Sequence, residues 1–160
     1  MVGRAVLLRP ESSPVDELAL SVHAVMRSVL HRLHPVLEAE GISMGQFWTL
    51  HLVSSLGSAR VSTVARHLSV SAPTACAKVD ELERSGLLVR HRSQTDRRVV
   101  ELAMTPKGRR VEARVWGRLG VLMGAAARGL PGGDVATAVR VFQEVSRRLD
   151  EPVPRAEVAA

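Results

Sequence analysis

Ser71, Ala72, Pro73 and Thr74 form the first cluster whose types and spacing suggest chemistry. A serine ahead of a helical pattern is a good N-cap, and a proline is tolerated in the first turn. Polar groups at that end of a helix can approach phosphates and base edges. Further on, Arg90, His91, Arg92, Arg97 and Arg98 surround the turn formers Ser93, Gln94, Thr95 and Asp96, with Asp96 the single acid among them. The arginine fork matches phosphate geometry. A third set, His23, Arg27, His31 and His34, recurs at helical spacing. It reads as the wall of an organic-anion pocket, as a metal site through His31-x-x-His34, or as the polar edge of an amphipathic helix. No compact acid or cysteine cluster completes a metal site, so no metal is expected. Trp48 and His51 share one helical face in a chain that is 2% aromatic and has no tyrosine. Either they and Trp116 line a pocket, or they are ordinary packing and Trp116 belongs to a dimer seam.

The elements that must position these residues follow from periodicity. Val64, Ala65 and Leu68 define a short helix, and Ser69-Val70-Ser71 a tight turn. Ala75, Val79 and Leu82 then bury one face of a second helix, which ends at Gly86, a C′ glycine. Helix, turn, helix is the unit whose second helix enters the major groove of DNA. Leu87–Arg92 and Arg98–Thr105 read as strands, with Leu87 and Val89, then Val100, Leu102 and Met104, alternating. A hairpin with a cationic tip beside a recognition helix makes a winged helix-turn-helix.

The ordered series Ser71-x-Pro73-Thr74, Val79-Asp80-x-Leu82-Glu83-x-x-Gly86-Leu87-Leu88-x-Arg90, Asp96-x-Arg98 and Leu102-x-x-Thr105-x-x-Gly108 resembles the MarR family of dimeric bacterial transcriptional regulators. The resemblance covers roughly residues 41–108. It implies a DNA-binding repressor, in some members an activator, relieved by small molecules, oxidants or metals. It also implies that Arg98 probes the minor groove with Asp96 orienting it, Arg97 being its rival. The face carrying Trp48, His51 and Leu52 would look toward the family's effector site. The chain departs from the family at Ala77, where a polar reader is common, and at Cys76, where threonine is common. Lys78 would compensate with a phosphate contact.

Composition fits a DNA partner. The chain has 160 residues, a net charge of +6 and 46% hydrophobic residues, enough for a core and a bias toward polyanions. Lys78 and Lys107 are its only lysines, and Cys76 is its lone cysteine, so an internal disulfide is excluded and a reducing cytoplasm suits it. No membrane-length apolar run and no signal-peptide layout is visible. No nucleophile elbow, paired-acid site, phosphate-binding glycine loop or zinc-protease motif is present either, so no catalytic residue, no enzyme and no cofactor are expected.

In chain order, residues 1–14 read as a loose basic arm. A helix starting at Pro14–Asp16 carries Leu18, Val22, Val25 and Val29 on one stripe and Met26, Leu30, Leu33 and Leu37 on another, with a kink or break expected near His34 because of Pro35. A second helix, Ser43–Ser55, is capped by Ser43 and Gln46 and packs through Phe47, Leu50 and Ser54. Beyond the wing, Thr105-Pro106 opens a long helix to about Arg128, with Val111, Val115, Leu119, Leu122 and Met123 along it and a basic stripe at Arg110, Arg114 and Arg118. A last helix, Val135 to about Arg148, is capped by Asp134, with Val139, Phe142 and Val145 or Leu149 inward. Glu151 to Ala160 form a Pro- and Ala-rich tail.

The expected fold is therefore mostly α (α+β). Residues 1–40 form an arm and dimerisation helix, 41–108 the winged helix-turn-helix, and 109–160 the C-terminal dimerisation helices. The outer helices are too apolar for so small a core, which points to a second copy of the chain. The expected protein is a ligand-responsive repressor, a homodimer on a pseudo-palindromic double-stranded operator, released by a small-molecule effector such as an aromatic acid. The DNA-facing candidates are Ser71, Ala72, Pro73, Thr74, Cys76, Lys78, Arg90, Asp96, Arg97 and Arg98. The pocket candidates are His23, Arg27, His31, Trp48, His51 and Trp116. The alternative is a metal- or redox-responsive regulator using His23, His31 and His34 or Cys76.

Overall fold

A computed structural model describes residues 13–93 and 97–151. The expectations for the basic arm, for Asp96 and for the C-terminal tail after Glu151 fall outside them. Two compact units divide the chain, one through Val121 and one from Leu122. The first holds α1 (Pro14–Ala39), α2 (Met44–Leu56), α3 (Val61–His67), α4 (Ala72–Arg84), β1 (Leu88–Arg92), β2 (Val100–Met104) and most of α5 (Pro106–Ala126). The second holds the end of α5 and α6 (Gly132–Leu149). Among the described residues no helix is long and apolar enough to cross a membrane.

Helix ends form where local chemistry demands them. Ser13 caps α1 in a reciprocal box with Asp16, and Ser43 caps α2 with Gln46. Ser71 Oγ accepts from Thr74 N at 3.3 Å, with Pro73 in the first turn of α4. Gly86, at φ +67°, turns the chain out of α4 toward β1. Thr105 Oγ1 accepts from Gly108 N at 3.0 Å and donates to Gly86 O at 2.7 Å, so one hydroxyl caps α5 and ties it to the end of α4.

The core of the first unit joins every element of the winged helix. Phe47, Leu50 and Val53 of α2 meet Val64 of α3, Ala75, Val79 and Leu82 of α4, Leu102 of β2 and Val115 of α5, all fully enclosed. Each large side chain buried this way contributes about 1.5–3 kcal/mol. β1 and β2 pair antiparallel, Leu88 with Met104 through Arg92 with Val100. Ala59 adds a bridge to Leu102, so the wing is anchored ahead of α3 as well.

Several local expectations are corrected. Pro35 does not break α1, which runs on to Ala39. The carbonyl that Pro35 leaves without a donor belongs to exposed His31, where water can satisfy it, while buried Leu33 and Leu37 hold the last turns down. Ser54 is exposed, and Val53 takes its place beside Phe47 and Leu50, with Thr49 and Leu52 also buried. The phase of β1 is carried by Leu88, which is buried, while Val89 is 45% exposed. Leu87 is buried too, but it precedes the strand. Val100 shares the parity of Leu102 and Met104 yet lies exposed, nearer the wing tip than the core reaches. Asp134 is inside the first turn of α6, whose N-cap is Pro131. No residue of α6 is buried, and Val139, Phe142 and Leu149 are exposed.

Candidate nucleic-acid interface and adjoining aromatic cluster

The first turn of α4 is presented outward by the residues that hold the helix down. Ala75, Val79 and Leu82 are enclosed, and that leaves Ser71, Ala72, Pro73, Thr74, Cys76 and Ala77 exposed along the opposite edge. Ser71 Oγ and Thr74 Oγ1 lie 2.8 Å apart, so two hydroxyls cluster at the positive end of the helix. The thiol of Cys76 is free and exposed. Lys78 is half-buried and folds over α2, its Nζ 2.9 Å from where a Cβ on Gly45 would stand. α2 and α4 are further joined by Gln46 Nε2, which donates to Glu81 Oε2 at 2.8 Å.

The wing stands beside this edge. Ser93 N donates to Val99 O at 2.9 Å, which starts the turn that carries exposed Arg97 and Arg98. His91 Nε2 is 3.6 Å from Glu101 Oε2 across the strands. Arg90 is placed differently from its neighbours. It lies on the same face of β1 as Leu88, and its guanidinium reaches back to α4, with Nη2 2.6 Å from Asp80 Oδ1 and Nη1 on Glu83 Oε2. The bond to Asp80, with that to Glu83, holds Arg90 above the ordinary arginine pKa.

The expected pocket residues separate into groups. His51 stacks on Trp116 at 4.2 Å and 9°, and Trp48 meets the His51 ring edge-on at 5.8 Å. Glu112 Oε1 lies 2.9 Å from His51 Nδ1, which fixes the ring against the indole. Phe47 stands behind them, 5.1 Å from Trp48. Trp116 remains 45% exposed, so the stack has an open face. His31 belongs elsewhere, in a cleft of about 470 Å³ between the end of α1 and the start of α2, with Leu30, His34, Leu37, Ile42 and Met44. His23 and Arg27 are exposed on α1 and line neither. Among the described residues no group of three or more His, Cys, Asp or Glu side chains could hold a metal ion. Glu112 was not singled out in the sequence, although it stands one turn before Trp116 on a helical face.

Of the basic stripe on α5, Arg114 is engaged. It forms a fork on Glu40 at the end of α1, with bonds of 2.6 and 2.5 Å. That pair holds the Glu40 carboxyl below its usual range. Lys107 donates to Ser85 O at 2.8 Å, a cation at the C-terminal end of α4.

Comparison with known proteins agrees with this geometry. Residues 42–100 match the model of the MarR family. Over 94 residues the chain is 27% identical to the HTH-type transcriptional repressor MdtR of Bacillus subtilis (strain 168), a match covering 59% of this chain and 61% of that protein. The chain thus spans about three fifths of the length of that curated relative. The fold is similar to that of a MarR family protein from Bacillus stearothermophilus, with TM-score 0.76, 20% identity, and 86% and 96% of the two chains covered. It is also similar to CouR from Rhodococcus jostii RHA1 bound to p-coumaroyl-CoA, with TM-score 0.74, 23% identity, and 90% and 100% covered.

Proposed function

We propose that this chain, a member of the MarR family, is a ligand-responsive repressor that binds a pseudo-palindromic operator as a homodimer. The observation that carries this reading is the exposed edge of α4 from Ser71 to Cys76 beside a wing bearing Arg97 and Arg98. Ser71 to Thr74 would meet phosphates and base edges in the major groove. Lys78 would add a phosphate contact, and Arg98 would enter the minor groove with Asp96 orienting it. A twofold dimer would set two such helices about 34 Å apart, one DNA turn. The exposed apolar stripe of α1, at Leu18, Val22, Val25 and Met26, supports a second copy as its cover.

The effector reading rests on the open stack of Trp48, His51 and Trp116. A planar aromatic acid suits such a surface, and a protein of similar fold, NadR, is known in complex with one, 4-hydroxyphenylacetate, while CouR binds p-coumaroyl-CoA, the thioester of another. Converting a mostly DNA-bound population to a mostly released one needs roughly 5.5 kcal/mol of differential affinity.

The decisive experiment is selection of bound duplexes from random DNA, repeated with aromatic acids present. Enrichment of a two-half-site sequence, lost when an acid is added, is the expected result. Binding without sequence preference would refute the reading. Two substitutions sharpen it. Arg98→Ala should weaken binding of the selected duplex by about 1–3 kcal/mol with the dimer intact, measured by anisotropy at physiological salt. An unchanged dissociation constant would remove Arg98 from the interface. His51→Ala should blunt acid-induced release far more than DNA binding. Equal loss of both would mean that His51 only supports the fold.

A further inference from the structure

We propose that Arg90 is a positioning residue for DNA binding, a bracket that sets the wing against the recognition helix through Asp80 and Glu83 without touching DNA itself. This rests on the DNA-binding reading above. The argument begins with the strand. Arg90 shares a face with Leu88, and the Leu88 side chain is buried, so the stem of Arg90 leaves β1 on its inner side and not toward the groove. Its fork then closes on two carboxylates one turn apart on α4, Asp80 at 2.6 Å and Glu83. The Arg90 backbone N–H also donates to Glu83 Oε1, at 3.3 Å. Paired charge-assisted bonds from a planar fork fix orientation as well as distance.

Two consequences for DNA follow. Ser93, where the wing turn begins, lies roughly 10 Å beyond Arg90 at the usual strand rise, so a tilt of about 10° at the bracket would carry it roughly 2 Å. A hydrogen bond to a phosphate or base edge does not survive such a shift. The bracket also offsets two negative charges on the helix meant to face a polyanion, Asp80 being exposed. A direct phosphate contact would require the guanidinium to leave both carboxylates.

A double-mutant cycle tests this with the duplex recovered by selection from random DNA. Arg90→Ala should lower affinity at least tenfold in the wild-type background. In an Asp80→Asn, Glu83→Gln background, where the bracket is already gone, it should cost less than twofold. The slope of log affinity against log salt should hardly change. Arg90→Lys, which keeps the charge but not the fork, should also lose affinity. Equal losses in both backgrounds, with the slope reduced by about one, would overturn the proposal in favour of a phosphate contact. Hydrogen exchange without DNA supplies a second readout. Arg90→Ala should speed exchange of the Ser93 amide at least tenfold while Val53 and Leu82 keep their protection. Unchanged exchange at Ser93, or loss of protection throughout the core, would overturn the bracket. Absence of selective duplex binding by the wild type would instead remove the DNA-binding reading, and the exchange measurement would still decide the bracket.

Discussion

Gly108→Ala is expected to destabilise the fold by about 3 kcal/mol or more, a loss that in a chain of this size lowers the melting temperature by roughly 6–12 °C. The reason is a single close approach. A Cβ at position 108 would stand 2.1 Å from Leu87 O and 3.0 Å from Leu87 C. Backbone cannot swing aside as a flexible side chain can. Leu87 O also accepts from Thr105 N at 3.1 Å and from Thr105 Oγ1 at 3.2 Å, so displacing it strains the cap of α5 too. Gly117 on the same helix is the control, because nothing lies within 4 Å of its would-be Cβ. Gly117→Ala should be neutral or stabilising by up to about 1 kcal/mol, as for a helix-interior glycine. Thermal melts of the two variants check both statements. A Gly108→Ala protein as stable as the wild type would mean that the α5 start and Leu87 are not in contact.

Val25→Asp with Met26→Asp is expected to convert the proposed dimer to a monomer and to lower affinity for the proposed two-half-site duplex by roughly 10²–10⁴. Both side chains are more than half exposed in the single chain, at 56% and 55%. Carboxylates there leave the core of the first unit untouched, so a folded, protected monomer should remain. Against a second copy they would place unpaired charges in an apolar seam, which an interface does not tolerate. Light scattering reads the mass and anisotropy the affinity. An unchanged mass and affinity would mean that this stripe of α1 is not where two copies meet.

What was legible in the sequence was what short-range chemistry decides. Ser43 with Gln46, Ser71 with Pro73, Thr105 with Pro106, and Gly86 each mark a boundary through groups within a few residues of one another, and each boundary is found within a residue of its place. The inward face of α4 was legible for the same reason, because Ala75, Val79 and Leu82 recur at the period of one helix. The winged helix-turn-helix then follows from the order of those elements, and its exposed edge from the face that is left over.

Tertiary structure decided whatever depends on a partner distant in sequence. Leu87, Leu88 and Val89 are interchangeable as a local pattern, and only packing shows that Leu88, not Val89, faces inward. Pro35 argues for a break by local rules, and α1 continues because Leu33 and Leu37 are held in the core. Arg90 looks like one more cation of the wing until Asp80 and Glu83, set on another element, take its fork. The pairing of His51 with Glu112, 61 positions apart in the chain, has no local signature at all. A side chain's role in this protein was readable from the sequence when its partner lay within a turn of helix, and became readable only in the fold when the partner arrived from elsewhere.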